Sequence, residues 1–472
     1  MDTTNAVTTP RKTAEKFELK WPQQIHPSAP MSALGLENEQ GVILEHEGPS
    51  KWEKPTFAWS WSIVGPGLLV CLADTDAGCL LVACQSGSRY GYALLLLQIL
   101  LIPVLFMAQD LTVRLGVCTK QGHSACIRDH FGPTCCWFAT ILLLIECVVA
   151  MVSEMSGVAA AGRLWGMDYM TSVLLAALLV SGVVLGFSYR QIEAIGICLG
   201  AFELTFVFTM VYYHPSLETL LTDTITSFSD AEFLKLISAN IGAVIMPWMI
   251  YFQQSAVVAR RLRTSTAMSE ERSGTLLGSI LTQLIMIGAL VTLAASHAVN
   301  KDLHSVEDIV RAISPAFGTL GSKILVSLAF LGGSLCASFV VALAGTWALC
   351  EAVKLEDAFA LEQSPTEAPF FYGSFLSVVA LGALVLLSGV NTVRLNVWVE
   401  LLDGILMPVA LGFLYLLAIS DVLPEPVRVK GIYKWCSGII FVLVACVSLS
   451  TASGGFLQAA LEEESRPRKP HV

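Results

Sequence analysis

The sequence predicts an all-α membrane protein with two inverted repeats of five transmembrane helices, an eleventh helix after them, and helices 1 and 6 discontinuous. Hydrophobic residues make up 54% of the 472 residues and charged residues only 14%, which is far from the composition of a soluble globular protein. Apolar runs of about 20 residues recur along the chain. Two of these runs, five apart in order, contain helix-breaking features, which is the arrangement expected of inverted repeats.

Eleven apolar runs are bounded by polar or charged turns, and each is long enough to cross a bilayer. They cover residues 59–84, 93–113, 137–161, 171–188, 193–213, 236–256, 275–298, 322–350, 372–390, 396–419 and 434–455. We expect a disordered cytosolic tail at 1–56, a transporter domain at 57–456 and a C-terminal tail at 457–472. Within the domain, the predicted boundaries are about 57–215 for repeat one, 235–420 for repeat two and 434–455 for the extra helix.

The distribution of basic residues predicts the orientation in the membrane. With the N-terminus placed inside, 18 of the 28 Lys and Arg residues fall on the inner side. Loops on the cytosolic side carry an excess of Lys and Arg. We therefore expect a cytosolic N-terminus, an outer C-terminus and residence in the plasma membrane.

The first apolar run carries two carboxylates near its middle, Asp74 and Asp76. An ionised Asp at the centre of a membrane helix costs roughly 2.5 to 3.5 kcal/mol on insertion scales. A bound cation would offset this cost, and so would backbone carbonyls freed by a break in the helix, which Gly78 favours. This stretch is therefore predicted to be half of an ion site. In the alternative interpretation, Asp76 caps a half-helix, and Asp74 pairs with a buried Arg or is protonated.

The sixth run contains Pro247 at its middle. Proline removes a backbone hydrogen bond and clashes with the carbonyl one turn earlier. The helix is therefore expected to break between Ala243 and Met246. An ordinary proline kink satisfied by neighbouring helices is the alternative.

Other features argue against catalysis and against a soluble partner. The 13 cysteines are scattered and show neither a disulfide framework nor zinc-ligand spacing. No phosphate-binding Walker A loop is present in the sequence. We expect no enzymatic activity and no cofactor. The expected partners are a cation as substrate and the lipid bilayer, with no nucleic acid and no obligate protein partner.

These broken spans and the motifs around them resemble those of the Nramp divalent-metal transporters, and more closely those of their relatives, the Nramp-related magnesium transporters. The resemblance runs from about Trp59 to Leu417. It is strongest in GPGLLVCLADTDAG, QSGSRYGY, QDLTVRLGVCT, RQIEA, ANIGAVIMPWMIYFQQSAV, LAGTWALCE and the region of Pro408. It implies a LeuT-type inverted-repeat fold.

The resemblance also implies a set of metal ligands. The family's Asp-Pro-Gly-Asn motif falls on residues 76–79, where the Asp and Gly match but Cys79 stands in place of Asn. In span six, Ala243 and Met246 match the family, together with the proline that follows. By resemblance, Asp76 is the central carboxylate ligand, Ala243 offers its backbone carbonyl and Met246 its thioether.

The departures from the family concern proton coupling. Nramp proteins use carboxylates of span three and histidines of span six for this purpose. Glu146 matches the first of these acids, but serines fall at the later acidic positions and Glu154 is displaced by one. Trp248 and Gln253 stand where the histidines would be. We therefore expect weak or absent proton coupling. Glu146 and Glu203, both mid-span, are expected to be buried and hydrogen-bonded rather than ligands.

The choice of metal depends on two opposing features. Sulfur from Met246, and from Cys79 if it faces the site, favours Mn²⁺ or Fe²⁺ over Mg²⁺. The missing Asn and the additional acids favour a cation that keeps several waters. These acids are Asp74 and, in span ten, Glu400 and Asp403, whose i,i+3 spacing puts both on one helix face. They are either ligands or residues of an acidic vestibule.

We therefore expect a transporter of divalent cations, of Mg²⁺ with Mn²⁺ also accepted, working by alternating access. The alternatives are a proton-coupled Mn²⁺/Fe²⁺ transporter of the ordinary Nramp type and a sodium-coupled organic-solute symporter.

Overall fold

The computed structural model describes most of the chain between residues 52 and 464. Positions 61–62, 217, 219, 221–230, 297–302, 304, 356–360, 362 and 389–391 are excepted, as are the side chains of residues 231, 392–405 and 451–464. Residues 1–51 and 465–472, most of the two predicted tails, lie outside the described part.

The described residues form helices and connecting turns without any strand. In chain order the helices are α1 (Pro66–Ala73), α2 (Ala77–Tyr90), α3 (Leu95–Thr119), α4 (His123–Phe131), α5 (Pro133–Leu164), α6 (Tyr169–Gly186), α7 (Tyr189–Gly200), α8 (Leu204–Tyr213), α9 (Ala231–Gly242), α10 (Pro247–Ala259), α11 (Ser265–Ala295), α12 (Val306–Ala352), α13 (Pro369–Leu387), α14 (Thr392–Ile419) and α15 (Gly431–Glu464). A short 3₁₀ segment, Ala201–Glu203, joins α7 to α8.

The predicted spans coincide with these helices. In the described part of the chain, nine helical segments are long and apolar enough to cross a membrane, and the bent pair of α1 and α2 makes a tenth. The predicted span 396–419 falls on α14, of which Leu406–Ile419 is the apolar stretch within the searched residues. The discontinuity of spans one and six is confirmed.

Helix α12 is the centre of the molecule. In its most apolar window 78% of the residues are buried, against 22% for α15 and 28% for α6. It packs most extensively against α5 and also contacts α7, α10 and α13. The outer helices present apolar side chains such as Leu178 and Val442 outward, as expected of surfaces that face lipid rather than water.

Two elements differ from the prediction. Helix α4 lies between spans two and three, where the sequence was too polar to predict a span. Helix α12 begins at Val306 rather than near 322, and Gly318, with φ +70°, interrupts it. The portion before Gly318 forms because Ile309 and Ile313, one turn apart, bury their side chains.

A buried ionic cluster ties three helices together. Asp110 of α3 is fully buried and accepts from Arg114 at 2.6 Å, from Tyr433 Oη at 2.8 Å and from Arg272 of α11. Arg272 also donates to the carbonyl of Thr56 at 2.6 Å. This hydrogen bond holds the segment before α1 against α11.

Candidate metal site

The first span is broken at the carboxylates. Helix α1 ends at Ala73 and α2 begins at Ala77, and the two helices are bent by 55°. Two of the carbonyls near the break are used by hydroxyl groups: Leu72 O accepts from Thr75 Oγ1 at 2.9 Å, and Cys71 O accepts from Thr282 Oγ1. These two carbonyls at the end of α1 are therefore bonded to hydroxyl groups of the protein, as a break at membrane depth requires.

Asp76 caps the second half-helix. Its backbone is extended and its Oδ1 accepts from the amide of Cys79 at 2.8 Å. Gly78 permits this close approach, because a Cβ there would lie 3.3 Å from the same oxygen. The capping contact that the alternative interpretation required is present. The carboxylate of Asp76 that makes this contact is nearly buried, since the residue is 7% exposed.

The sixth span is broken where the proline predicts it. Helix α9 ends at Gly242, residues 243–246 are non-helical, and Pro247 is the first residue of α10. In a continuous helix the carbonyl of Ala243 would bond to the amide four residues later. That residue is Pro247, which has no amide hydrogen, so this carbonyl is left for another partner.

The two breaks meet at Cys79. Its thiol Sγ donates to the carbonyl oxygen of Ala243 at 3.3 Å. Asp76, Cys79 and Ala243 are thus brought together. Met246 closes the second break with an extended backbone and is 5% exposed, and its amide donates to Met249 Sδ at 3.5 Å.

Four buried carboxyls surround the break in span one. Asp74, Asp76, Glu154 and Glu203 are each at most 7% exposed, and Glu154 and Glu203 both interact electrostatically with Asp76. Neither oxygen of Asp74 has a hydrogen-bond partner in the described part of the chain. Within the same part, no Lys, Arg or His forms an ion pair with any of the four.

Glu146 and Glu203 accept hydrogen bonds, as expected. Glu146 Oε1 accepts from the amide of Trp248 at 3.4 Å and so caps α10. Glu203 accepts from Thr75 Oγ1, between the two aspartates. The sequence marked both acids as mid-span residues. It could not show that Glu203 reaches the break, because an apolar span gives no signal of which face points inward.

The glutamines that follow Pro247 are bound by protein groups. Gln253 accepts from Thr112 Oγ1 at 2.6 Å and donates to Thr275 Oγ1 at 2.9 Å. Gln254 contacts His123 Nδ1 at 2.8 Å and donates to Gln121 O at 3.0 Å. Both amides therefore fix α10 to its neighbours.

Glu400 and Asp403 lie on α14, but their side chains are outside the described residues. Among the residues described, no group of three or more His, Cys, Asp and Glu side chains lies close enough together to hold a metal ion. The ligands implied by the resemblance are not of these four types alone, because they comprise a carboxylate, a backbone carbonyl and a thioether.

Two half-helix pairs whose breaks meet around buried carboxylates define a membrane protein of the LeuT-type inverted-repeat class. The backbone is similar to a crystal structure of the Eremococcus coleocola manganese transporter, with a TM-score of 0.70 and 16% identity over 89% of this chain and 92% of that one. It is also similar to a Na⁺-coupled sialic acid symporter, with a TM-score of 0.52 and 11% identity over 82% and 89% of the two chains.

Residues 67–453 match the family described as Nramp, natural resistance-associated macrophage protein-like. The chain therefore belongs to the Nramp family. Among its relatives, the divalent metal cation transporter MntH of Ralstonia nicotianae is 30% identical over 60% of this chain and 67% of its own. MntH of Verminephrobacter eiseniae is 25% identical over 82% and 87%.

Proposed function

We propose that this protein carries divalent metal cations across the membrane by alternating access, with Mg²⁺ preferred and Mn²⁺ also accepted, and without proton coupling. The contact between Cys79 and the Ala243 carbonyl carries the proposal, since it joins the breaks of spans one and six beside Asp76. Asp76, Ala243 and Met246 hold the ion. Asp74, Cys79, Glu400 and Asp403 complete the proposed site.

The charge balance supports a cation as substrate. Asp110 shows how this protein stabilises a buried carboxylate, with two arginines and a tyrosine. The carboxyls around the span-one break have no such partners among the described residues. Leaving charges buried and unpaired is costly, and a visiting divalent cation removes that cost. The names of the relatives, divalent metal cation transporters and a manganese transporter, agree with this substrate class and with the absence of catalysis.

The preference for Mg²⁺ rests on the oxygen-rich surroundings. Mg²⁺ takes hard oxygen ligands and keeps several waters. Replacement of the family's Asn by Cys79 removes one protein oxygen, and Asp74 adds an acid nearby. The thiol of Cys79 is engaged with a carbonyl, so it is the weaker of the two available sulfur ligands.

Absence of proton coupling is supported by the span-six side chains. Gln253 has a neutral amide bridged between two threonine hydroxyls. Trp248 is fully buried beside Glu146 and carries no titratable group. Neither residue can relay a proton as a histidine does.

In the mechanism, the half-helices of spans one and six move to expose the ion to one side and then to the other. A contact at the start of α1 restrains this motion. Glu271 of α11 accepts from the Gly67 amide at 2.6 Å and holds the first turn of α1. Releasing this contact lets α1 swing away from α11 and opens the side on which α1 begins, which is the cytosolic side in the predicted orientation.

The test is uptake into proteoliposomes that contain the full chain, read with Mg²⁺- and Mn²⁺-sensitive dyes beside an internal pH dye. We expect saturable uptake of both ions, lost in Asp76→Ala, with no matching acidification. Absence of uptake for every divalent ion would refute the substrate class. Acidification comparable to metal influx would refute only the uncoupled mechanism.

A proton-coupled Mn²⁺/Fe²⁺ transporter is the second candidate, and the thioether of Met246 at the break favours it because soft sulfur ligands select such metals. Replacing Met246 by Leu separates the two. For a Mg²⁺ carrier, the thioether is the weakest of the three ligands, so Mg²⁺ uptake is reduced but retained, whereas for the second candidate the Mn²⁺ uptake that dominates is lost. Family membership disfavours the sodium-coupled organic-solute alternative.

A further inference from the structure

Two acids outside the ligand set expected from the sequence reach the span-one break from other spans. Glu154 comes from α5, and Glu203 from the 3₁₀ segment between α7 and α8. Both are at most 1% exposed. Glu203 is tied to the break itself, because it accepts from the hydroxyl of Thr75.

The surrounding packing leaves room for these acids. At Gly333 of α12 a Cβ would lie 2.7 Å from the carbonyl oxygen of Thr75 and 3.0 Å from Glu203 Oε1. Only glycine lets α12 approach the break this closely while the carboxylate stays beside it.

Several polar atoms at this place have no hydrogen-bond partner among the described residues. They are both oxygens of Asp74 and Oε1 of Glu203. Glu154 lies against Asp76 and against the buried hydroxyl of Ser334. Buried polar groups are normally satisfied. Such a concentration of unsatisfied oxygens around Asp76 indicates a hydrated cation that supplies the missing contacts.

We propose that Glu154 and Glu203 are specificity-determining residues, which with Asp74 select doubly charged ions through their electric field and through the ion's water shell. This inference rests on the proposed function. The energy of an ion in a fixed field is proportional to its charge, so each carboxylate favours a divalent ion over a monovalent one. The bound ion in turn stabilises the ionised form of every carboxyl around it.

The test measures the affinities of Mg²⁺, Mn²⁺ and Ca²⁺ for the purified full chain by titration calorimetry at constant ionic strength. Glu154→Gln and Glu203→Gln keep the side-chain volume, and Gln at 203 still accepts from Thr75. We expect each variant to weaken every divalent ion that the wild type binds by the same factor, about tenfold, without changing their ranking. In the double variant we expect a larger loss than in either single variant.

A matched control is Glu351→Gln. Glu351 is also a buried acid of α12, 4% exposed, and accepts from the Ala125 amide at 3.2 Å. It lies 17 residues from Ser334, roughly 25 Å along the helix. Affinities within twofold of the wild type are expected here.

Two results would overturn the inference: unchanged affinities in both Gln variants, or a loss confined to one metal ion. The second result would make the residue a direct ligand. Recovery in Glu203→Asp, which restores the charge, supports the field role. Absence of divalent binding in the wild type would refute the proposed function instead.

Discussion

At the scale of single residues, Asp76 combines two tasks that sequence patterns usually separate. Its Oδ1 caps α2 through the Cys79 amide at 2.8 Å. The thiol of the same Cys79 donates to the Ala243 carbonyl that Pro247 has left without a helical partner, which links Asp76 to the second break. Capping holds the carboxylate in one orientation, so the cap pre-organises the ligand.

Substituting Asp76 distinguishes the two tasks. Asn is as good an N-cap as Asp but carries no charge, whereas Ala removes both functions. We expect Asp76→Asn to unfold at the temperature of the wild type yet bind divalent ions at least about a hundredfold more weakly. Asp76→Ala should lose a further ~1 kcal/mol of stability. Calorimetric titration and thermal unfolding measure both. Metal affinity retained in the Asn variant would show that Asp76 is only a cap.

His123 makes the stability of helix α4 depend on pH. Its ring is fully buried, contacts Gln254 at 2.8 Å and stacks edgewise on Tyr251. Burial lowers its pKa to about 4, against a smaller opposing effect of the Gln254 contact. The unfolded chain takes up a proton below about pH 6.5, and the folded chain does so only near 4. The contribution of neutral His123 to the free energy of unfolding is therefore fully present above pH 6.5 and is lost as the pH falls towards 4.

The expected loss is about 2 kcal/mol at pH 5 relative to pH 7.5. In His123→Gln this contribution to the pH dependence disappears. The measurement is the thermal midpoint of both proteins at pH 7.5, 6.5 and 5. Parallel pH profiles of variant and wild type would show that His123 is not buried as a neutral ring.

At the scale of elements, both breaks were predictable because each has a chemical cause in the chain. Two carboxylates at membrane depth and a mid-span proline locate the interruptions at 74–76 and 243–246. The helix α4 and the kink at Gly318 were not predictable, since short amphipathic stretches lie below the length that identifies a span. The inward faces of Glu154 and Glu203 depend on tertiary packing, which uniformly apolar spans do not reveal.

The approach of α12 to the span-one break yields a prediction about Gly333. A Cβ there overlaps the Thr75 carbonyl at 2.7 Å, and a backbone atom cannot move aside cheaply. Gly333→Ala should therefore lower the unfolding temperature and weaken metal binding together. Gly373→Ala is the control, because nothing lies within 4 Å of a Cβ at that helical position. It should be neutral or stabilising by up to about 1 kcal/mol. Normal metal binding in Gly333→Ala would mean that α12 does not shape the site.

At the scale of the whole molecule, the ionic cluster of Asp110 joins α3, α11 and α15 to the segment before α1. Removing one charge from a buried cluster leaves the others uncompensated, which costs about 3 to 5 kcal/mol. We expect Asp110→Asn to show a loss of this size in thermal or denaturant unfolding. Glu425→Gln, in an exposed pair with Lys430, should leave the midpoint unchanged. Equal effects of the two substitutions would exclude a structural role for the cluster.

The central claim concerns the position of the ion between the two broken spans. Anomalous diffraction from crystals of the full chain grown with Mn²⁺ tests it most directly, because the signal locates the metal without assumptions about ligands. The account predicts a peak between the Asp76 carboxylate and the Ala243 carbonyl, either in direct contact or one water away. A peak confined to another part of the protein, in crystals of transport-active material, would contradict it.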